Sequence, residues 1–137
     1  MLRTVLLALV MCCSTYAAAK STNERVIATI PGGGVLLESN GKAVFANVLF
    51  PDAARAEDWL AEHVLQQPIA VSVEGEDRYG RSIITSTIEE TMLREGVAIF
   101  YASDGEIPAS WKAAERSARE CKSGLWSVEG RSITVEN

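Results

Sequence analysis

The segment Asp77-Arg78-Tyr79-Gly80-Arg81-Ser82-Ile83-Ile84-Thr85-Ser86, DRYGRSIITS, decides how the chain is read. Glycine among polar neighbours marks a tight turn, and the β-branched run behind it marks a strand. Upstream, residues 68–74 (PIAVSVE) alternate apolar and polar, as a strand with one buried face does. The turn therefore joins a hairpin and delivers an arginine to the start of its second strand. In a chain of 137 residues with 18 acidic and 13 basic side chains, a guanidinium in that place asks for an explanation.

Working outward, residues 25–30 (RVIATI) read as a strand, Pro31-Gly32-Gly33-Gly34 interrupts it, and residues 35–38 resume. Asn40-Gly41 predicts a two-residue hairpin turn with positive φ at both central positions, and residues 42–50 (KAVFANVLF) predict the returning strand, stopped by Pro51. Ala56, Trp59, Leu60, His63 and Val64 recur at helical spacing across residues 53–66, with Asp52 placed as N-cap. Residues 89–95 form a short helix ending on Gly96, and residues 97–101 (VAIFY) one more strand. The last helix opens at Pro108 and ends by Gly124; Trp111, Ala114, Ala118, Cys121 and Leu125 form its apolar stripe, and Glu115 pairs with Arg119 on its polar side. Short strands with one inserted and one terminal helix suit a small closed barrel, of which the OB-fold is the commonest, although a generic α+β domain fits the periodicity too.

Residues 1–19 carry an early arginine, an apolar run and three alanines before Lys20, which predicts a secretory signal peptide cut after Ala19. A lipidated Cys12 or Cys13 is the second choice, because bulky Met11 precedes them. Removing that leader leaves 118 residues, enough for one core, with 12 basic against 18 acidic groups. Such a balance opposes polyanions at long range. Cys121 then has no internal partner, so packing rather than a disulfide must hold the domain, and the helix stripe predicts a buried thiol.

Three pieces in order resemble the thermonuclease, or staphylococcal-nuclease-like, family: VLFPD at 48–52, DRYGR at 77–81, and IEETMLREGVAIFY with AAERSARECKSGLW at 88–101 and 113–126. The resemblance covers roughly residues 26–126 and implies an OB-fold: mainly β with α, a five-stranded Greek-key barrel with about three helices. The implied domain occupies 20–126, leaving 127–137 as a short tail. Active members of this family cleave phosphodiesters with bound Ca²⁺, two arginines on the phosphate and a glutamate that activates water. The general requirement is fixed positive charge and a Lewis acid facing a highly anionic transition state.

Position by position, the resemblance implies that much of this machinery is gone. The family's two metal aspartates correspond to Gly34 and Leu49, and its first phosphate arginine to Val44. Asp52 stands at the glutamate position, one methylene shorter, and Arg81 matches the second arginine. Both candidates have a plainer reading: Asp52 as a helix cap, and Arg81 as a tie to Asp77, Glu74 or Glu76. The triple glycine lacks the Lys-Ser or Lys-Thr of a phosphate loop. His63 reads as a helix-face residue, Trp111 and Trp126 as core anchors, and Trp59 as packed on the barrel. Asp52, Glu57, Asp58 and Glu62 suggest a second metal site, but solvated helix faces carry such charges routinely.

The expectation is an exported, periplasmic or secreted, monomeric OB-fold protein without metal-dependent hydrolysis, cofactor or membrane association after leader removal. It would act as a binding or accessory module for single-stranded nucleic acid or another oligomeric ligand. The alternative is a secreted phosphodiesterase with a rearranged site built from Arg81, Asp52 and a Ca²⁺ held by neighbouring carboxylates.

Overall fold

The computed structural model describes residues 21–101 and 107–127. The expected leader and residues 128–137 of the tail lie outside the described residues. In chain order the elements are β1 (Thr22–Ile30), β2 (Gly34–Leu37), β3 (Gly41–Phe45), β4 (Val48–Leu49), α1 (Ala53–His63), β5 (Pro68–Glu76), β6 (Ser82–Ser86), α2 (Ile88–Arg94), β7 (Ile99–Phe100), α3 (Ala109–Glu120) and a 3-10 turn at Gly124–Trp126. Strands close in the order β1-β2-β3-β6-β5, with β5 pairing back onto β1. This is the expected OB-fold, a five-stranded barrel with three helices.

Period-two patterning fills the barrel: Val26, Val35, Leu37, Ala43, Val71 and Ile84 are buried and belong to one core. Helix α1 adds Ala56, Trp59 and Leu60 to it, and the Trp59 indole Nε1 donates to Glu95 Oε2 at 2.7 Å. His63 remains on the exposed helix face, stacked on Trp59 with ring centroids 4.4 Å apart. The one parallel pairing, β3 with β6, sets Ala43 beside Ser82 and Val44 beside Ile83. That register carries the DRYGR turn to the end of the β2–β3 hairpin, a juxtaposition on which the functional site depends.

Several local expectations are corrected. The β2–β3 turn has three residues, since Leu37 pairs with Gly41, and only Gly41 of the Asn40-Gly41 pair takes a positive φ. The cause is Glu24, buried on β1: its Oε1 accepts from the Ser39 and Asn40 amides at 2.8 and 3.1 Å, and its Oε2 takes the Asn40 side-chain amide. Residues 42–50 make two strands, because Asn47 turns the chain at φ 63°. The strand expected at 97–101 pairs only through Ile99 and Phe100, which meet β4.

The last helix departs most. It ends at Glu120, and Lys122 adopts φ 52°, so the stripe stops at Ala118 and Cys121 is exposed rather than buried. Gly124 instead begins a turn against α2, where a Cβ would lie 2.4 Å from the Gly96 carbonyl oxygen; the Leu125 amide donates to that oxygen at 2.8 Å. Glu115 is buried, not on a polar face, and desolvation pushes its carboxyl above the usual range, partly offset by Arg119 at 3.7 Å and the Phe100 backbone. Trp126 lies half-buried under the Arg119 guanidinium, 4.3 Å from its ring, and Trp111 is the core anchor.

Candidate functional site

A cleft of about 260 Å³ opens where the β1–β2 turn faces the segment after β3. The Gly33 amide donates to the Ile30 carbonyl at 3.3 Å, closing the turn. A Cβ on Gly33 would stand 2.4 Å from Phe50 Cδ2, so the aromatic ring rests directly on the glycine backbone. Phe50 meets Phe45 edge to face, with centroids 6.1 Å apart. Asn47's positive φ bends the chain, and Val48, Leu49 and Phe50 beyond it line the cleft together with Gly34 and Ile30. Val44 and Arg81 complete the lining, held adjacent by the parallel β3–β6 pairing.

Among the described residues Arg81 is the only ionisable side chain that lines that cleft. Asp77 organises its turn: Oδ1 accepts from the Tyr79 and Arg81 amides, both at 2.9 Å, and Oδ2 accepts from Arg81 Nε at 2.6 Å. Partial desolvation raises the Asp77 carboxyl, but the Arg81 backbone and guanidinium bonds and the Tyr79 amide outweigh it and hold it below the ordinary carboxylate range. Tyr79 lies exposed with its ring 5.3 Å from Arg81 Cζ. The two Nη groups have no hydrogen-bond partner among the described residues. Hence the structural and the ligand-directed readings of Arg81 apply to different atoms of one side chain. Of the three acids weighed as its partner, Asp77 takes it, while Glu74 accepts from Thr85 Oγ1 at 3.0 Å.

Asp52 is elsewhere. Its Oδ1 accepts from the Arg55 amide at 3.1 Å, the N-cap bond expected of it, and its other oxygen is 3.5 Å from Arg55 Nε. It lines a second groove, about 580 Å³, along α1 with Asp58, Trp59, Glu62 and Glu95. Asp52 and Arg81 thus line different cavities. Glu57 of the suggested acidic set is not in the groove's lining, and among the described residues no three His, Cys, Asp or Glu side chains gather to hold a metal ion. Sequence reasoning missed Ile30, Phe45 and Phe50 as cleft walls; the aromatic residue beside Pro51 was the available signal for the last. It also missed Glu95, whose partner Trp59 is 36 residues away.

The family model described as staphylococcal nuclease homologue matches residues 40–128, most of the chain. The chain belongs to the staphylococcal nuclease homologue family. Similar curated proteins are named "Probable endonuclease LCL3". The one from Leptosphaeria maculans is 28% identical over 91 residues, 56% of this chain and 30% of the relative. In Botryotinia fuckeliana the figures are 28% over 99 residues, 62% and 38%; in Colletotrichum graminicola, 28% over 115 residues, 74% and 42%. The chain spans less than half the length of these relatives.

Within this nuclease-homologue barrel the cleft occupies the place the resemblance assigns to Ca²⁺ and phosphate, and its residues do not fit a calcium ion. Calcium takes six to eight oxygen ligands with carboxylates foremost. Gly34, Val44 and Leu49 supply none from side chains. Position 34 also has no room for one: a Cβ would meet the Ala43 carbonyl oxygen at 2.8 Å and Ile30 Cβ at 3.4 Å. The glycine turn lies outside the span matched by the family model, whereas Val44, Leu49 and Arg81 lie inside it.

Proposed function

We propose that this member of the nuclease-homologue family is an exported binding or accessory module that does not hydrolyse phosphodiesters with a metal. The observation that carries the reading is the lining of the family cleft: one guanidinium, hydrocarbon walls and no carboxylate. A metal-free phosphodiester cleavage would have to polarise the phosphoryl oxygens with Arg81 alone, and removing even one charge-stabilising donor from a complete site costs 10² to 10³ in rate. Export rests on the composition of residues 1–19 and monomeric state on the small acidic domain. The test is an assay of purified protein on single-stranded DNA and RNA with millimolar Ca²⁺. Turnover that Arg81→Ala abolishes would overturn the reading.

The names of the fungal relatives favour a second reading, an active phosphodiesterase with Arg81 on the phosphate and Asp52 as base. Against it, Asp52 already accepts a helix amide and lines the other groove. Calorimetric titration with Ca²⁺, Mg²⁺ and Mn²⁺ separates the two, since the second reading requires a metal to bind.

A further inference from the structure

We infer that the Arg81 cleft is a binding site for a small amphipathic monocarboxylate, an apolar chain or ring that ends in one carboxylate. The inference rests on the preceding reading that this cleft holds no catalytic metal. Its walls are the hydrocarbon faces of Ile30, Val44, Phe45, Leu49 and Phe50, and among the described residues its one polar side chain is Arg81. Leu49 is 47% exposed at this wall, an apolar surface that a ligand would withdraw from water. The volume of about 260 Å³ lies just under the range for drug-sized ligands and equals roughly nine water volumes, which suits a molecule of single-ring size.

Charge selects the head group. Asp77 fixes Arg81 through Nε and already balances its charge, leaving two Nη groups free to donate in parallel. A carboxylate matches that fork with two hydrogen bonds. A dianionic phosphate would face one shared positive charge and the Asp77 carboxylate behind it. A nucleic-acid backbone needs several cations in a row, and the cleft offers one. A metal ion has no side-chain ligand here among the described residues, and a neutral alcohol would engage only one of the two Nη groups. The apolar walls and the fork therefore converge on an acid with a hydrophobic body.

The test uses the full-length ¹⁵N-labelled protein titrated with 3-phenylpropanoate, followed by the amide resonances of Gly33, Gly34, Leu49 and Phe50. Saturable shifts confined to these amides are expected, with 3-phenylpropanol binding about tenfold more weakly and inorganic phosphate causing no saturable shift. Arg81→Gln should weaken the acid by about tenfold or more and the alcohol less, because the glutamine amide can still donate one hydrogen bond. Because that variant can loosen the hairpin, Leu49→Asp provides a second arm: it leaves the Arg81–Asp77 pair in place and should also weaken the acid by about tenfold, through like-charge repulsion. Absence of saturable shifts in the wild-type chain, or equal affinity for acid and alcohol, overturns the inference. Hydrolysis of single-stranded DNA is scored on the same preparation. Hydrolysis without acid binding refutes both readings, and neither hydrolysis nor acid binding refutes only this one.

Discussion

The cleft at Arg81 and the groove along α1 differ in the charge they carry. Among the described residues the cleft holds Arg81 and no carboxylate; the groove holds Asp52, Asp58, Glu62 and Glu95 together with Arg55, and Asp52 is engaged in capping its helix and in a contact with Arg55. They also differ in what their side chains do for the fold. Trp59 and Glu95 in the groove are joined by a hydrogen bond beneath a core helix, whereas Leu49 in the cleft is half exposed and supports little. Shape and charge thus have separate origins: β3–β6 pairing builds the cleft as part of barrel closure, while Gly34, Val44 and Leu49 bring no charge to it.

The sharpest separation is in stability. Trp59→Ala removes a buried indole and leaves Glu95 without its donor, which should cost about 3 to 5 kcal/mol in urea unfolding. If the cost is under about 1 kcal/mol, the groove is not structural and the contrast fails. A pH test comes next in size and compares two carboxyls. Glu89 is fully buried, accepts from the Ser86 amide and hydroxyl, and burial pushes its carboxyl up to about 7. Its folded-state value is raised above the ordinary 4.5, so the folded chain binds more protons than the unfolded chain between those values. The stability it contributes is complete below about pH 4.5 and is lost as pH rises through 7, an effect on the order of 3 kcal/mol. Glu89→Gln should flatten that slope. Asp77 has the opposite sign: its carboxyl is depressed, so the Arg81 tie persists above the unfolded value and is lost only as pH falls through the lowered one. Urea midpoints from pH 4 to 8 for wild type and Glu89→Gln check the slope.

What the sequence disclosed depended on distance along the chain. The DRYGR turn was legible because Asp77, Tyr79, Gly80 and Arg81 satisfy one another within four residues, and Asp52 because a cap bonds three residues ahead. The parallel partner of β6 was not, since Val44 and Ile83 are brought together only by barrel closure. Nor was the three-residue turn at Ser39, which obeys a carboxylate 15 residues earlier rather than its own Asn-Gly signal. Periodicity misplaced Cys121 by assuming that α3 continued past Glu120. Of the candidate site, residue identities were readable while their division into two cavities was a property of the closed barrel.

The smaller effects test whether Asp52 and Leu49 belong to structure or to chemistry. Asp52→Ala removes an N-cap bond and a weak tie to Arg55, and should cost about 1 kcal/mol in urea unfolding without altering any nucleolytic background. A rate loss beyond tenfold with an intact fold would return Asp52 to a catalytic role. Leu49→Ser is expected to change stability least, under about 0.5 kcal/mol, because its side chain is already 47% in water. A half-exposed leucine that shares its cleft with a guanidinium is then a residue whose contribution lies in what the cleft admits. A loss above about 2 kcal/mol would instead make Leu49 part of the core and the cleft a packing defect rather than a site.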